Sequence, residues 1–285
     1  MKNTAIIGAG RLGTSLGYSL SQKGFHIIAA SCRSLSSARE SVGIIGEGTP
    51  LTDNKKAAAN AETVILSVPD DSIKNVVKEL SPLNLDKKFI FHCSGILSSR
   101  ILQPLRKSGA VTASLHPIQS FPKKSRNSGL FTHIYFGVEG DDEALRLAKT
   151  MVTKLGGRCF ILEPGDKPLY HTACTIASNY LTVLMGLSES LLGKAGISKE
   201  LRIEILLPLV KGTLDNIEQN TISGSLTGPV SRGDLETLTS HLKSLESHPS
   251  LLRIYKDLAA QALEIAGKEK HLPPNKIRKI KALLE

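Results

Sequence analysis

Short apolar runs rich in β-branched residues alternate with helical patterns over the first part of the chain. Five of these runs read TAIIGA, HIIAAS, TVILSV, KFIFHC and AVTASL, and two more, HIYFGVEG and RCFILEP, follow further along. Short apolar strands separated by helices are typical of a parallel sheet covered by helices on both faces. The pattern therefore predicts an α/β fold with a doubly wound, mostly parallel sheet.

The strand pattern ends near Pro164 and Gly165, and only helical periodicity follows. The predicted helices cover residues 168–194, 199–219, 234–247 and 251–268 and the C-terminal tail. The tail is predicted to be a short amphipathic helix that docks on the protein. We therefore expect two domains, an α/β domain over residues 1–164 and an all-helical domain over residues 165–285.

Charge and composition restrict the partners. The 285 residues carry a formal net charge of +10, but aromatic residues make up only 4% and Trp is absent. Stacking surfaces for single-stranded nucleic acid are therefore scarce, and we predict no nucleic acid partner. A basic surface also suits attraction of an anionic cofactor or substrate.

Two further absences favour a cytoplasmic protein. No apolar stretch is long enough to cross a bilayer, and the N-terminus lacks the pattern of a signal peptide, so no membrane association is expected. The four cysteines Cys32, Cys93, Cys159 and Cys174 lie far apart and form no CxxC pair. We expect reduced thiols and no metal site.

A dinucleotide-binding turn follows the first predicted strand, in the sequence GAGRLG. Gly8 permits the tight turn, Gly10 lets the backbone approach a pyrophosphate, and Gly13 lets the following helix pack on the strand. The N-terminus of that helix offers free N–H groups and partial positive charge to phosphates. We assign the turn and the first helical residues, with Arg11 and Leu12, to cofactor binding.

The end of the second predicted strand indicates which dinucleotide is preferred. NAD binding uses a carboxylate about 20 residues after the turn, whereas an arginine there accommodates the 2′-phosphate of NADP. The stretch Phe25–Ala38 contains no carboxylate, and Arg33 stands at this place with Ser31 and Ser34 as neutral donors. The prediction is NADP(H); the alternative is that Arg33 is an ordinary surface arginine.

Three more stretches at predicted strand ends belong to the same edge of the sheet. Val68 and Pro69 in SVPDDSI are expected beside the nicotinamide half, and so are Ser94 and Gly95 in HCSG. Asp70 is expected to cap the next helix. In SLHPIQSF, His116 precedes a proline, which favours an extended backbone and directs its imidazole from a loop. Two roles are open for His116: an acid/base or substrate-orienting group, or a histidine whose hydrogen bonds tie two loops together. For His92 we favour the second, structural role.

A polar stripe runs along the long helix predicted over residues 168–194. At about 100° per residue, His171, Thr175 and Ser178 share one face, and Asn179 lies beside them. A plain solvated face would look the same, but it usually carries Lys and Glu, whereas small neutral hydrogen-bonding groups suit a ligand cleft.

The loop SGSLTGPVSRGDLETLTSHL lies between two predicted helices. Asp234 is expected to cap the second of them. Arg232 is a candidate to clamp an anionic group of a substrate. The alternative is that Arg232 and Asp234 pair with each other and only shape the loop.

Seven stretches together resemble a family of bacterial Rossmann-like proteins with a helical C-terminal domain of unknown function. They are GAGRLG, SVPDDSI, HCSG, SLHPIQSF, YHTACTIASNYL, LPLVKGTLDNI and LTGPVSRGD, and the last two are specific to that family. Wider relatives are pyrroline-5-carboxylate reductase, ketopantoate reductase, prephenate dehydrogenase and 6-phosphogluconate dehydrogenase. The resemblance covers the chain to about Tyr255 and implies NADP(H)-linked hydride chemistry and a homodimer built by the helical domain, but it supplies no substrate.

The matches to the wider relatives are partial. SLHP is similar to the His-Pro segment of prephenate dehydrogenases, which supports His116. Several β-hydroxyacid relatives use a helix lysine with an asparagine one turn later; here Asn179 fits the asparagine, but Thr175 occupies the lysine position. His171 or Lys167 could substitute for that lysine. TGPVSRGD lies roughly where pyrroline-5-carboxylate reductases place a substrate-holding loop.

Two functional hypotheses result. The first is an NADP(H)-dependent oxidoreductase that reduces a small carbonyl or imine, or oxidises a hydroxy acid, with His171 or His116 exchanging the proton. Ser178 and Asn179 would orient the substrate, which Thr175 and Arg232 would help to bind. The second is a non-catalytic NADP-binding sensor or scaffold.

Overall fold

The computed structural model describes residues 3–268 and 272–285, and these form two compact units. The first unit extends to Asn179 and the second comprises Tyr180–Glu285. The change from one unit to the other falls inside a long helix. The domain boundary expected at residues 164 and 165 precedes that helix and remains a prediction.

The first unit is an eight-stranded sheet with helices on both faces. Its strands are β1 Asn3–Ile7, β2 His26–Ser31, β3 Thr49–Leu51, β4 Thr63–Leu66, β5 Phe89–His92, β6 Val111–Pro117, β7 Tyr135–Gly140 and β8 Arg158–Ile161. Its helices are α1 Arg11–Ser21, α2 Leu35–Ile45, α3 Asn54–Ala59, α4 Asp70–Leu80, α5 Gln103–Arg106 and α6 Asp142–Lys154, with a 3-10 turn at Ser99–Leu102. The α/β class and all seven predicted strands are confirmed.

The strand order is β3-β2-β1-β4-β5-β6-β7-β8, and every pairing is parallel except the antiparallel pair β6 and β7. Chain order reverses between β1 and β4, which is where open α/β sheets leave a crevice at the carboxyl ends of their strands. The carboxyl ends of β4, β5 and β6 follow one another along the same edge.

Side chains alternate between two cores because successive residues of a strand point to opposite faces. Ile6 and Ile65 belong to the core on one face, with Leu16 of α1 and Phe91. The neighbouring residue Ile7 belongs to the other core, together with other buried side chains of β4 and α4. Burial on both faces explains why these strands read as continuous apolar runs.

The second unit is helical. It contains the C-terminal part of α7 Lys167–Lys194, followed by α8 Lys199–Gln219, α9 Ile222–Ser225, α10 Pro229–Arg232, α11 Leu235–Leu245, α12 Pro249–Lys268 and α13 Pro274–Leu284. Its core packs Leu238 against Leu263 and Ile280, which is fully buried. The prediction that the C-terminal helix docks on the protein is therefore confirmed. None of the helices in the described ranges is long and apolar enough to cross a membrane.

Two cap predictions have opposite outcomes. Asp234 caps α11, since its carboxylate accepts a hydrogen bond from the Thr237 N–H at 3.1 Å. Asp70 does not cap α4. The N-cap is Pro69, Asp70 is the first residue of the helix, and no side chain makes a capping hydrogen bond. At this position the negative charge of Asp70 stabilises the helix by interacting with the positive end of the helix dipole.

Candidate functional site

Gly8 begins the turn between β1 and α1, and no other residue fits there. Its φ is +84°, and a β-carbon would lie 2.5 Å from Cγ1 of Val68 and 2.7 Å from the Val68 nitrogen. The Gly8 N–H donates to the carbonyl of Ser31 at 2.9 Å, which ties the turn to the end of β2. The turn is therefore pressed against the ends of two neighbouring strands.

Gly10 and Gly13 differ in what surrounds them. A β-carbon on Gly10 would meet only the Gly8 carbonyl, at 3.8 Å, so it would project into open space at the N-terminus of α1. On Gly13 it would collide with Oγ of Ser67 and lie 2.8 Å from the Gly8 carbonyl, so Gly13 allows helix and strand to approach. Leu12 packs against the apolar core.

A cavity of about 690 Å³ opens above this turn. Its lining is Gly8, Ala9, Gly10, Arg11, Ser31, Cys32, Arg33, Ser34, Ser37, Thr52, Asn54, Ser67, Val68, Pro69, Ser72 and Val76. Two guanidinium groups, those of Arg11 and Arg33, are thus combined with polar neutral groups, and no carboxylate occurs among these lining residues. Such a lining suits an anionic ligand.

Two of the predicted hydroxyl donors have local partners. The Ser31 hydroxyl donates to Oδ1 of Asn54 at 2.6 Å, and Ser31 is fully buried. Ser34 is the N-cap of α2, with its Oγ accepting from the Ser37 N–H at 3.3 Å. Arg33 is exposed, so its guanidinium is not part of the packed interior.

A second cavity, of about 320 Å³, lies at the end of β6 and along α7 within the first unit. Its lining is His116, Ile118, Gln119, Ser120, His171, Cys174, Thr175, Ser178 and Asn179. The structure therefore brings together five of the predicted site residues. Apart from the two histidines and the cysteine, these side chains are not ionisable, which fits a ligand bound mainly by hydrogen bonds.

Gly95 lies directly beneath the two histidines. A β-carbon there would be 2.8 Å from Nε2 of His116 and would collide with Cδ2 of His171. The two imidazole rings are 5.9 Å apart, centroid to centroid. Ser94 and Gly95 do not line the 690 Å³ cavity; Ser94 is buried, and its Oγ accepts from the Leu97 N–H at 3.0 Å.

His116 is held by a tyrosine from α7. Its Nδ1 lies 2.6 Å from the hydroxyl oxygen of Tyr170. Burial, followed by the positive charge of Lys167 and by His171, lowers the pKa of His116 to about 4. Burial raises the pKa of Tyr170, so this hydroxyl keeps its proton. His116 is neutral at neutral pH as a result.

Lys167, named above as a candidate substitute for the helix lysine of the relatives, does not line the 320 Å³ cavity. It is the first residue of α7 and is fully buried. Its Nζ donates to the carbonyl of Ser94 at 2.9 Å and to the hydroxyl of Ser114. Burial lowers its pKa to about 8, and the nearby Glu139 is the largest opposing influence. A positive charge at a helix N-terminus is unfavourable because of the helix dipole. This position in the helix is the sequence feature that indicates stabilising hydrogen-bond acceptors for Lys167 outside the helix.

His92 lies in the interior rather than in either cavity. Its Nδ1 accepts from the Ser94 N–H at 3.2 Å, and its Nε2 has no hydrogen-bond partner among the residues that the structure describes. Burial, followed by the charge of Lys167, lowers its pKa to about 3. His92 is therefore a neutral, structural histidine at neutral pH.

Arg232 ends α10 in the second unit, whereas both cavities described above belong to the first unit. Its carbonyl accepts a hydrogen bond from Nζ of Lys276 at 3.2 Å. Its positive charge contributes to lowering the pKa of Asp234, for which the hydrogen bond from the Thr237 N–H is the largest cause.

Two family models match the chain in succession. A model described as a Rossmann-like domain matches residues 2–117, and a model described as a domain of unknown function (DUF2520) matches residues 134–262. No curated protein sequence matches the chain significantly.

Solved structures match over almost the whole length. Protein TM1727 from Thermotoga maritima is 31% identical, with 94% of this chain and 99% of that one covered and a TM-score of 0.73. BF3122 from Bacteroides fragilis, described as a candidate NADP oxidoreductase, is 23% identical over 92% and 98% of the two chains, with a TM-score of 0.78.

More distant structures share the fold. Pyrroline carboxylate reductase from Plasmodium falciparum, solved with NADP bound, is 14% identical over 100% and 98% of the two chains, with a TM-score of 0.59. Other structures with this fold were solved in complex with NADPH or with NAD⁺. At these identities the likeness shows the fold alone.

Proposed function

The chain belongs to the family in which a Rossmann-like domain is followed by a DUF2520 domain, and we propose that it is an NADP(H)-dependent oxidoreductase. Its substrate would be a small carbonyl, imine or hydroxy-acid compound. One observation carries this proposal: the 690 Å³ cavity joins the Gly8–Gly10 turn to Arg33 and Arg11 without a carboxylate in its lining. Two fold neighbours support it, one named a pyrroline carboxylate reductase and solved with NADP and one named a reductive aminase and solved with NADPH.

The residues present fit the phosphates of NADP. The open space that a side chain on Gly10 would fill lies at the N-terminus of α1, where free N–H groups favour a pyrophosphate. Arg33, at the end of β2, would hold the 2′-phosphate, and Arg11 would add positive charge. Leu12 and Gly13 would support this turn by packing. Ser31 and Ser34 would border the adenosine end.

Strand order supports a nicotinamide site next to the histidines. Val68 and Pro69 follow β4, and Ser94 and Gly95 follow the adjacent β5. The next strand, β6, carries His116 near its end. A nicotinamide at the ends of β4 and β5 would therefore lie between the 690 Å³ cavity at the glycine turn and the 320 Å³ cavity at the end of β6. When bound, the cofactor would supply or accept hydride.

The chain's own residues would bind the substrate and manage its proton. His171 or His116 would exchange the proton, a role typically worth 10²–10⁴ in rate. Ser178, Asn179 and Thr175 would orient the substrate, because they line the same cavity with neutral hydrogen-bonding groups. The assignment of Arg232, in the second unit, to an anionic group of a substrate stays a prediction.

The second unit supports a homodimer. No residue of α8 is buried, although it carries many large apolar side chains. Leu201, Ile203, Ile205, Leu207, Leu209, Leu214 and Ile217 are between 37% and 68% exposed. At about 100° per residue these positions spread over about 240° of the helix surface, and five charged side chains, Glu200, Glu204, Lys211, Asp215 and Glu218, fall in the remaining arc. So wide an exposed apolar surface is typical of a helix that is covered by a partner. A second copy would cover it.

Cofactor titrations test the proposal. We expect NADPH to bind more tightly than NADH, and Arg33→Ala to weaken NADPH by about 10- to 100-fold because a charge-assisted hydrogen bond is lost. NADH affinity should change little. Arg39→Ala is the matched control, since Arg39 is exposed on α2 and does not line the cavity.

The outcomes separate three cases. An equal loss of NADPH and NADH affinity in Arg33→Ala would contradict phosphate recognition. Binding of neither cofactor would contradict the proposed function as a whole. NADPH binding without turnover of any carbonyl or imine compound would favour the sensor or scaffold hypothesis.

A further inference from the structure

The ammonium group of Lys167 is buried close to the two histidines of the 320 Å³ cavity, and its hydrogen bonds indicate what it does there. We propose that Lys167 is a positioning residue of this site: it joins the end of β5 to β6 and sets His116 as a neutral imidazole that donates a hydrogen bond from Nε2. This inference rests on the proposed function for its use in catalysis, but its geometry can be tested without cofactor or substrate.

The first step is the position of the ammonium group. Nζ of Lys167 donates to the carbonyl of Ser94, at 2.9 Å, and to the hydroxyl of Ser114. Ser94 directly precedes Gly95, and Ser114 precedes His116 by two residues on β6. One cation therefore holds both the backbone beneath the histidines and the strand that carries one of them.

The second step is the charge balance that lets this lysine stay buried. Glu139 on β7 is 2% exposed, and its carboxylate accepts from the Ser99 hydroxyl at 2.7 Å and from the Ser99 N–H. This negative charge is the largest influence that raises the pKa of Lys167 against burial. A buried cation persists only when it is paired and hydrogen-bonded. Lys167 is hydrogen-bonded twice and has the negative charge of Glu139 nearby, and its pKa of about 8 keeps most of it charged at pH 7.

The third step is the protonation state of His116. Lys167, Tyr170, His171 and Cys174 face it from α7, and His92 lies on the neighbouring strand β5. The positive charge of Lys167 acts against an imidazolium, as burial does.

The tautomer follows from the bond to Tyr170. We assign the Tyr170 hydroxyl, which keeps its proton, as donor to Nδ1 at 2.6 Å; the opposite direction would require the Nδ1–H tautomer, which the experiment below distinguishes. Nε2 then carries the hydrogen. Such an N–H suits a carbonyl oxygen, which accepts a hydrogen bond, better than an iminium nitrogen, which has no lone pair.

Histidine NMR of the whole chain tests the inference. We expect the wild-type His116 ring to be the Nε2–H tautomer and to stay neutral down to about pH 5. In Lys167→Met the titration midpoint of His116 should rise by about half a pH unit or more, because a neighbouring positive charge is gone while burial persists. Lys78→Met, at an exposed position of α4, should leave the midpoint unchanged.

A second variant keeps the test open if Lys167→Met does not fold. Tyr170→Phe removes the donor to Nδ1 and should populate both tautomers while Lys167 is intact. An unchanged midpoint in folded Lys167→Met, a wild-type Nδ1–H tautomer, or an unchanged tautomer in Tyr170→Phe would each overturn the inference. NADPH titration of the same samples reports separately on the proposed function.

Discussion

Gly95 and His171 are packed so closely that the smallest side chain on the glycine would collide with the imidazole ring. The same added carbon would lie 2.8 Å from Nε2 of His116. The backbone after β5 therefore packs directly against both histidines. Position 95 has room only for the hydrogen atom of a glycine.

Gly95→Ala should displace one or both histidines and destabilise the protein by about 1–3 kcal/mol, as overpacking of a tight site does. Denaturant unfolding and the histidine NMR resonances measure the two effects. Gly43→Ala is the control, because no atom lies within 4 Å of a β-carbon at this position of α2. Wild-type stability and unmoved resonances in Gly95→Ala would contradict the packing described.

Gly8→Ala and Gly10→Ala should separate folding from cofactor binding. At Gly8 the positive φ and the contact with Val68 predict a loss of about 2 kcal/mol or more in unfolding free energy. At Gly10 the methyl group has room, so stability should change by no more than about 1 kcal/mol. Its methyl group would nevertheless stand where the backbone approaches the pyrophosphate.

We therefore expect Gly10→Ala to be folded and to bind NADPH at least about tenfold more weakly, a change of about 1.4 kcal/mol. Calorimetric titration of the folded variant measures this. Unchanged NADPH affinity would show that the ligand of this cavity does not approach Gly10.

The sequence predicts the α/β unit well because its signals are local. Strand β2 coincides with the run HIIAAS, and the glycine turn follows β1 as expected. Strand β3 was missed, since its three residues, Thr49–Leu51, include a proline that suits only a sheet edge. The partners of Lys167 were also out of reach: Ser94 and Ser114 are 73 and 53 residues away, so only the tertiary structure joins them.

Acid should destabilise the protein through its buried neutral histidines. Burial is the largest cause that lowers the pKa of His92 to about 3 and that of His116 to about 4 from an ordinary value near 6.5. Below pH 6.5 the unfolded chain binds protons that the folded protein does not, so unfolding free energy falls as pH falls. Each histidine contributes a slope of about 1.4 kcal/mol per pH unit until its folded pKa is reached.

Denaturant unfolding between pH 7 and pH 4.5 measures this slope. His92→Asn, which can keep an acceptor for the Ser94 N–H, should lower the stability at pH 7 but flatten the pH dependence. His133→Asn, at an exposed histidine of the same unit whose positive φ suits asparagine, is the control for replacing a histidine. A slope that His92→Asn leaves unchanged would mean that this histidine does not carry the acid sensitivity.

The wide apolar surface of α8 predicts a dimer that one introduced charge can break. Leu209 is 68% exposed, so Leu209→Glu would cost little in an isolated chain. Within an interface the carboxylate would be buried without a partner, which is strongly unfavourable. We expect light scattering after gel filtration to show a dimer for the wild type and a monomer for Leu209→Glu. Ile161→Glu, at a residue of β8 that is 71% exposed, should remain dimeric. A monomeric wild type, or a dimer that tolerates Leu209→Glu, would exclude this surface as the interface.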